Sequence, residues 1–212
     1  MKKLFSLLLA AAMLLTLAAC GTANTGGTVD EPKNNTAADT ADPAPDDTTP
    51  ESTGGKVLVA YFSATGHTKT IAEYLQTALD ADLYEIVPQE PYTDADLDYN
   101  TDGCRANREQ NDDSARPAIS GSVEDMDGYD VVFIGYPIWW GQAPKIVYTF
   151  LESYDFSGKT IVPFCTSGGS GIDGSLGGLQ ALASDADWLT GQRFSSGASE
   201  EEVQSWVDHL GL

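Results

Sequence analysis

The chain has 212 residues and a net charge of −21, with 32 acidic against 11 basic residues. The length suits one or two domains, and the acidity repels a phosphate backbone, so neither DNA nor RNA is expected as a partner. Two histidines and three cysteines are present, with no CxxC spacing. We therefore expect no zinc site, no other metal site and no redox dithiol.

The N-terminus has the pattern of an export signal. Two lysines precede an apolar run over residues 4–17, which is shorter than the roughly 20 residues that span a bilayer. The sequence LAAC at residues 17–20 resembles the lipobox of bacterial lipoproteins. That resemblance implies that residues 1–19 are removed and that a diacylglycerol on Cys20 anchors the protein outside the cytoplasmic membrane. The alternative is an ordinary signal peptide with an incidental cysteine.

Residues 20–55 are rich in Thr, Asp, Pro, Gly and Asn and nearly lack large apolar side chains. Such a segment buries too little surface to offset the conformational entropy lost on folding. We expect a disordered acidic tether here, followed by a single folded domain over residues 56–212.

The folded part alternates strand patterns with helix patterns. Apolar runs predict strands at residues 56–62, 82–88, 129–137, 159–165 and 187–194. Helical spacing predicts helices at residues 67–80, 143–152, 172–183 and 199–210. Three of the strands are almost continuously apolar, as in strands covered on both faces. The alternation predicts an α/β fold, with a parallel sheet and helices on both faces.

One long segment, residues 89–128, breaks the alternation. It carries Asp, Asn, Arg, Gly and Pro with little periodicity, and loops of this length are uncommon in compact domains and often functional. Its three arginines, Arg105, Arg108 and Arg116, form a basic island in an acidic chain. They either contact a ligand or make ion pairs within the loop.

The first candidate site follows the first predicted strand, where ligands of open parallel sheets bind. Hydroxyls at Ser63, Thr65 and Thr68 stand beside the free amides of a helix start, a combination that suits a phosphate group. Gly66 allows the backbone to approach closely. The motif GxxxxGK[ST] is absent, which disfavours a nucleoside triphosphate. The alternative is a helix N-cap, for which one hydroxyl suffices.

Two more loops are expected at the same sheet edge. The sequence YPIWWG follows the strand at 129–137, and its two tryptophans either pack beneath the long segment or form a wall for a flat ligand. The sequence TSGGSG follows the strand at 159–165 and exposes backbone amides. It contains a formal GxGxxG, which alone is too weak to indicate NAD. Together the three loops suit a planar, phosphorylated ligand.

These three loops carry a family resemblance. FSATGHT resembles the phosphate-binding signature of flavodoxins, and GYPIWWG and PFCTSGGSG are similar to the two flavin-ring loops of the flavodoxin-like family. The resemblance covers residues 56–212 and keeps the order of the motifs. It implies FMN as the cofactor and a flavodoxin-like three-layer fold, in which a five-stranded parallel sheet has the order 2-1-3-4-5 known for flavodoxin itself.

The resemblance also implies which residues bind the cofactor. The predicted phosphate contacts are Ser63, Thr65, Gly66, His67 and Thr68. The predicted ring wall is Pro137, Ile138, Trp139 and Trp140. The predicted contacts to the ring edge, through backbone amides, are Thr166, Ser167, Gly168, Gly169 and Gly171. Many flavodoxins have asparagine in place of His67, so we expect its amide to matter more than its imidazole.

One departure from the family pattern concerns the outer face of the flavin. Electron-carrying flavodoxins usually stack an aromatic side chain there, from the second ring loop, but residues 166–174 contain none. Either the long segment covers this face, through Tyr92 or Tyr99, or the face is open.

The resemblance implies an FMN-binding redox protein at the membrane that exchanges electrons with an unidentified donor and acceptor, without an obligatory catalytic side chain. An open flavin face favours an alternative, a flavin-dependent reductase of quinones or other small acceptors. A second alternative is a non-redox binding module on the same scaffold. The chain lacks G-x-S-x-G, which disfavours a hydrolase. An exported location permits a disulfide between Cys104 and Cys165, whose pairing the sequence leaves open.

Overall fold

The computed structural model describes residues 55–212. The predicted signal peptide, Cys20 and all of the predicted tether except Gly55 lie outside the described residues. Among the helices that are described, none is both long enough and apolar enough to cross a bilayer.

Strands and helices alternate along the described chain. The strands are β1 (Val57–Tyr61), β2 (Asp82–Glu85), β3 (Val87–Pro88), β4 (Ile119–Ser120), β5 (Val131–Pro137), β6 (Thr160–Thr166), β7 (Asp187–Trp188) and β8 (Gln192–Phe194). The helices are α1 (His67–Leu79), α2 (Arg105–Gln110), α3 (Lys145–Glu152), α4 (Asp173–Gln180) and α5 (Glu200–Val207). Four helices match the predicted ones. Ser199 caps the start of α5, because its Oγ accepts from the Glu202 amide at 3.3 Å.

The main sheet is parallel and has the order β2-β1-β5-β6, with β7 and β8 both paired to β6 at its edge. This confirms the predicted order 2-1-3-4-5, with the fifth position divided between two short strands. The division falls opposite Val162 and Pro163, because β7 pairs with residues before them and β8 with residues after them. Pro163 has no amide hydrogen to donate to a ladder.

The predicted strand at 82–88 is also divided, and the long segment after it has structure. β2 ends at Glu85, whereas β3 pairs antiparallel with β4 in a separate two-stranded sheet. The Gln89 amide extends this pairing by donating to the Ala118 carbonyl at 2.8 Å. The two ends of the long segment are therefore paired with each other. The segment also contains helix α2, which its weak periodicity did not predict.

Both faces of the main sheet are covered, as the nearly continuous apolar runs predict. Successive residues of β1 alternate between two cores: Leu58 lies in the core that α3 and α4 cover, and Val59 in the core that α1 and α5 cover. Since β1, β5 and β6 run parallel, their carboxyl ends meet at one edge. The three candidate loops all start there.

Candidate functional site

The first and third loops are joined by a buried hydrogen bond. The hydroxyls of Thr68 and Thr166 lie 2.8 Å apart, and both residues are buried. The Ile138 amide of the second loop donates to the Thr166 carbonyl at 2.9 Å. The fold thus brings the three predicted loops together, and residues far apart in the chain form one site.

The first loop presents free amides at the start of α1. Gly66 is the N-cap, has a left-handed φ of +88°, and no side chain caps the helix. The Ser63 hydroxyl accepts instead from the Gly66 amide, at 3.1 Å, and closes the turn. The first helical bond runs from the Thr70 amide to the Gly66 carbonyl. Helix geometry therefore leaves the amides of residues 67–69 available to an anion. The N-cap alternative would instead have a side-chain hydroxyl accept from one of these amides, and none does.

The predicted phosphate residues differ in what they offer a ligand. Thr65, Gly66 and His67 are exposed. The Thr68 hydroxyl faces Thr166, so its amide is the group left for a ligand. Its side chain has the separate role of holding two loops in register.

Thr68→Val should lower the free energy of unfolding by about 1–3 kcal/mol, because the Thr166 hydroxyl would stay buried without a partner. Thr68→Val combined with Thr166→Val should cost less than the two single changes together, since the orphaned group is then gone. Urea unfolding of the four proteins measures this coupling. Thr77→Val, at an exposed helical threonine, is the control and should stay within about 0.5 kcal/mol of wild type. Additive single effects would contradict the assigned role.

The second loop contains a tight turn at Trp140. The amide and carbonyl groups of Trp139 and Gln142 exchange hydrogen bonds of 2.9 Å in both directions. The two residues between them have positive φ, +49° at Trp140 and +78° at Gly141, as in a type I′ turn. A tryptophan is an unusual occupant of this left-handed position, which favours Asn, Asp or Gly.

The two tryptophans have different surroundings. Trp139 is partly buried and meets the rings of Phe62 and Tyr92 edge-on, at 5.5 and 5.4 Å between centroids. The Trp140 ring is 50% exposed, and no aromatic pair within residues 55–212 includes it. Trp139 therefore packs beneath the long segment, as one of the predicted alternatives states. Trp140 has no such packing, and its role as a wall for a flat ligand stays a prediction.

Arg193 holds the third loop in place and was missed by sequence reasoning. Its guanidinium donates to the Ser167 hydroxyl at 3.1 Å and to the Ser167 carbonyl at 2.8 Å. The Ser167 amide donates to the Phe194 carbonyl at 3.1 Å. Arg193 lies on β8, and only the pairing of that strand with β6 brings it beside Ser167.

The glycines of the third loop leave room for a ligand. A Cβ atom built on Gly168, Gly169 or Gly171 would have no neighbouring atom within 4 Å, and all three residues are exposed. The backbone at these positions is therefore accessible at close range. This arrangement allows the amides to reach the edge of a flat molecule.

The long segment supplies one side of a cleft that the first and second loops also line, whereas none of residues 166–171 lines it. The cleft has a volume of about 350 Å³, which lies within the usual range of small-molecule sites. Its lining residues are Ala64, Thr65, Leu97, Tyr99, Ala106, Pro137, Ile138, Trp139 and Trp140. Of the two tyrosines considered as covers, Tyr99 lines the cleft and is 71% exposed. Tyr92 packs against Phe62 and Trp139 instead.

The basic island makes structural contacts. Arg105 Nε lies 2.6 Å from Glu109, and its guanidinium stacks over the Tyr92 ring. Arg116 pairs with Glu152 through two hydrogen bonds of 2.7 and 2.8 Å. Burial, followed by the hydrogen bond to the Glu109 carboxylate, raises the pKa of Tyr92. Structural ion pairs therefore describe Arg105, within the loop, and Arg116, whose partner Glu152 lies on α3, whereas Arg108 donates to the Gly103 carbonyl.

Gln110 is a second contributor that the sequence did not reveal. Its Nε2 donates to the carbonyls of Trp139 and Ala143, at 3.1 and 3.3 Å. These two bonds connect α2 to both ends of the tryptophan turn. The long segment thus positions the second loop as well as lining the cleft.

The two cysteines inside the described range are buried free thiols. Cys104 caps α2 by accepting from the Asn107 amide at 3.4 Å, and burial raises the pKa of Cys165 to about 12. A thiol in this state is a poor nucleophile at neutral pH. In the same range, no group of His, Cys, Asp or Glu side chains is arranged to hold a metal ion.

Comparisons with known proteins agree with this geometry. A family model described as Flavodoxin matches residues 56–210. Crystal structures of candidate flavoproteins from Bacteroides eggerthii and Bacteroides uniformis are 47% and 44% identical, with TM-scores of 0.71 and 0.70. They cover 75% and 73% of this chain, and 99% of each of those chains is matched.

A more distant solved structure contains a ligand. It is a Lactobacillus acidophilus flavoprotein in complex with FMN, 26% identical with a TM-score of 0.56; the match covers 73% of this chain and 99% of that one. No curated protein matches the chain.

Proposed function

Because the chain belongs to the flavodoxin family, we propose that it binds FMN at the described sheet edge and transfers electrons through it. The observation that carries this proposal is the meeting of three unlike surfaces: free amides at the start of α1, the exposed ring of Trp140 and the bare backbone of the glycine loop. They match the phosphate, the flat ring and the polar ring edge of one molecule. The related protein with bound FMN supports the same ligand.

Each surface would have a separate task toward FMN. The amides of residues 67–69 and the hydroxyls of Ser63 and Thr65 would bind the phosphate, without a lysine. Trp140 and Ile138 would bind the ring. The amides of Gly168 and Gly169 would bind its edge, because the Ser167 amide already donates to the Phe194 carbonyl. When bound, FMN supplies the redox chemistry, while the protein orients it and sets its potential. The net charge of −21 is expected to disfavour the anionic reduced form and to lower that potential.

Reconstitution tests this proposal directly. Purified protein should turn yellow with one equivalent of FMN, and riboflavin, which lacks the phosphate, should bind far more weakly because the α1 amides then have no anion. Quenching of flavin fluorescence measures both affinities. A colourless protein without affinity for FMN would overturn the proposal and would favour the non-redox binding module.

A second candidate, a flavin-dependent reductase of quinones or other small acceptors, is favoured by the open cleft. Tyr99 lines it but leaves most of its own surface exposed, so a small acceptor has access. Steady-state oxidation of a reduced nicotinamide by the isolated holoprotein would identify such an enzyme. Reduction that requires a separate reductase protein would identify a carrier.

We also propose that the protein is anchored outside the cytoplasmic membrane through Cys20. The sequence LAAC after an apolar run supports this, and two acyl chains suffice for a stable anchor. In a bacterial host fed a fatty-acid analogue, the wild-type protein should be labelled and should sediment with membranes. Cys20→Ala should lose both properties, and Cys104→Ala should keep them. A labelled Cys20→Ala protein would rule out this anchor.

A further inference from the structure

Residues 93–102, here called the acidic strap, run along one side of the cleft. Leu97 and Tyr99 of the strap line it. The strap also carries four aspartates, at positions 94, 96, 98 and 102. The strap therefore contributes two side chains to the cleft, and Asp98 stands between them in the chain, with three more aspartates within five residues.

Hydrogen bonds give the strap a defined shape. The Asp96 carboxylate accepts from the amide and the hydroxyl of Thr93, at 2.9 and 2.7 Å. The Asp98 carboxylate accepts from Thr101 at 2.9 Å and from Asn100 at 3.2 Å. The Asp96 carbonyl accepts from the Ala106 amide at 3.0 Å, which fastens the strap to α2. Tyr99 is therefore presented by an ordered segment.

Two of the strap carboxylates, Asp96 and Asp98, have a pKa below the ordinary value. Hydrogen bonds from Thr93 lower the pKa of Asp96, and hydrogen bonds from Thr101 and Asn100 lower the pKa of Asp98. The nearby cations are Arg105, which is paired with Glu109, and Arg108, which donates to the Gly103 carbonyl. Within residues 55–212, no ion pair neutralises any of the four strap aspartates.

The cleft itself is uncharged. None of its nine lining residues is an Asp, Glu, Lys, Arg or His, and two of them are exposed aromatic residues, Tyr99 and Trp140. Exposed aromatic faces at a concave apolar site favour flat aromatic molecules. The lining thus attracts an apolar ring, whereas the strap beside it repels a negative charge.

We propose that the acidic strap makes the cleft selective for neutral planar electron acceptors of the quinone class and excludes anionic ones. This inference rests on the proposed function, because the acceptor must meet the bound cofactor here. The quinone would gain two electrons and two protons and become a hydroquinone. The neutral, fully reduced cofactor would supply both electrons and both protons and return to its oxidised form. The electrons come from a reductase protein. Reduced nicotinamide dinucleotides, which carry two phosphates, are disfavoured as donors at this cleft for the same reason.

The selectivity should depend on charge and salt in a predictable way. Fields of this kind change the encounter of a charged ligand by about 10-fold to 1,000-fold at low ionic strength. The Debye length falls to about 3 Å at 1 M salt, so the effect should largely vanish there. Binding of a neutral ring should change little with salt.

Two matched pairs of probes test the inference on FMN-loaded protein. The first pair, 2-naphthol and naphthalene-2-sulfonate, cannot be reduced, and binding is read from the flavin difference spectrum. The second pair, 1,4-naphthoquinone and its 2-sulfonate, is mixed anaerobically with photoreduced holoprotein, and flavin reoxidation is followed. Both pairs are used only after the protein has been shown to bind one equivalent of FMN as a yellow holoprotein. A failure of the proposed function is therefore recognised before the strap is tested.

Isosteric variants isolate the strap charge. Asp94→Asn, Asp98→Asn and Asp102→Asn are combined, because asparagine keeps an acceptor oxygen for the hydrogen bonds. The control combines Asp80→Asn, Asp187→Asn and Asp208→Asn, which removes the same charge at the opposite edge of the sheet. In wild type, the sulfonate should bind about tenfold more weakly than the naphthol at low salt. The strap variant should reduce this ratio at least about threefold, and the control should leave it unchanged.

The Tyr99 ring is tested separately. Tyr99→Ala should weaken binding of 2-naphthol about tenfold through lost stacking, whereas Tyr99→Phe should keep most of it. The inference is overturned if the naphthol-to-sulfonate ratio is the same in the strap variant and the control. It is also overturned if neither 2-naphthol nor naphthalene-2-sulfonate binds. A third contrary result would be equal rates of flavin reoxidation by the neutral and the sulfonated quinone, in both the wild type and the strap variant.

Discussion

Thr65→Asp should weaken the binding of FMN about 100-fold, whereas the free energy of unfolding of the apoprotein should change by no more than about 0.5 kcal/mol. Thr65 is exposed and lines the cleft next to the free amides of α1. A carboxylate there would face the phosphate dianion at close range. Repulsion of about 3 kcal/mol, modest for two charges near a protein surface, corresponds to this loss of affinity.

Three comparisons assign this effect to the phosphate. Thr65→Asn adds a side chain of the same size without charge and should cost less than about threefold in Kd. Ser184→Asp adds the same charge on an exposed turn at the other edge of the sheet and should have no effect. Riboflavin should bind the Thr65→Asp protein as it binds wild type, because it has no phosphate to repel. Equal losses for FMN and riboflavin would place the phosphate elsewhere.

Trp140→Asn should change stability and binding in opposite directions. The φ of +49° at Trp140 lies in the left-handed region, which asparagine adopts several-fold more readily than bulky residues do. The apoprotein should therefore gain about 0.5–1 kcal/mol in its free energy of unfolding. The exposed ring would be lost as a wall for the flavin, so FMN should bind about 10-fold to 100-fold more weakly.

Urea unfolding of the apoprotein and FMN titration measure the two effects on the same samples. Trp140→Phe keeps a flat ring in the strained turn, so it should retain most of the affinity and gain no stability. Trp139→Phe removes a partly buried ring that packs on Phe62 and Tyr92, and should instead lose stability. A Trp140→Asn protein that is less stable than wild type would contradict the interpretation of the turn as strained for the sake of ligand binding.

The parallel α/β class of the fold was predictable because it depends on local patterns, whereas the strand order 2-1-3-4-5 followed from the family resemblance. Continuous apolar runs indicate strands covered on both faces, and helical spacing between them indicates crossovers, which make the strands parallel. The division of the fifth strand was not predictable from its own residues, because it follows from Pro163 in the neighbouring strand β6. The residues of a segment indicate whether it favours a strand, but where that strand pairs also depends on the residues of the neighbouring strand.

The long segment shows the limit of pattern reading most clearly. Helix α2 has six residues and only one of them, Ala106, is buried, so it leaves little periodicity to detect. It is held in place by tertiary contacts, such as the two bonds from Gln110 to the tryptophan turn. Tyr92 and Tyr99 were equal candidates in the sequence, and the fold places only Tyr99 at the cleft.

The sequence by itself determined the fold class, the three loops of the site and the absence of a Walker lysine, because each is encoded in neighbouring residues whose spacing sets their conformation. Only the tertiary structure decided how these residues divide their tasks. Both tryptophans line the cleft, but only Trp139 also packs on Phe62 and Tyr92. The Thr68 hydroxyl joins two loops, and Arg193 supports Ser167 from another strand. Such roles depend on contacts between segments far apart in the chain, and local spacing contains no information about which side chains meet there.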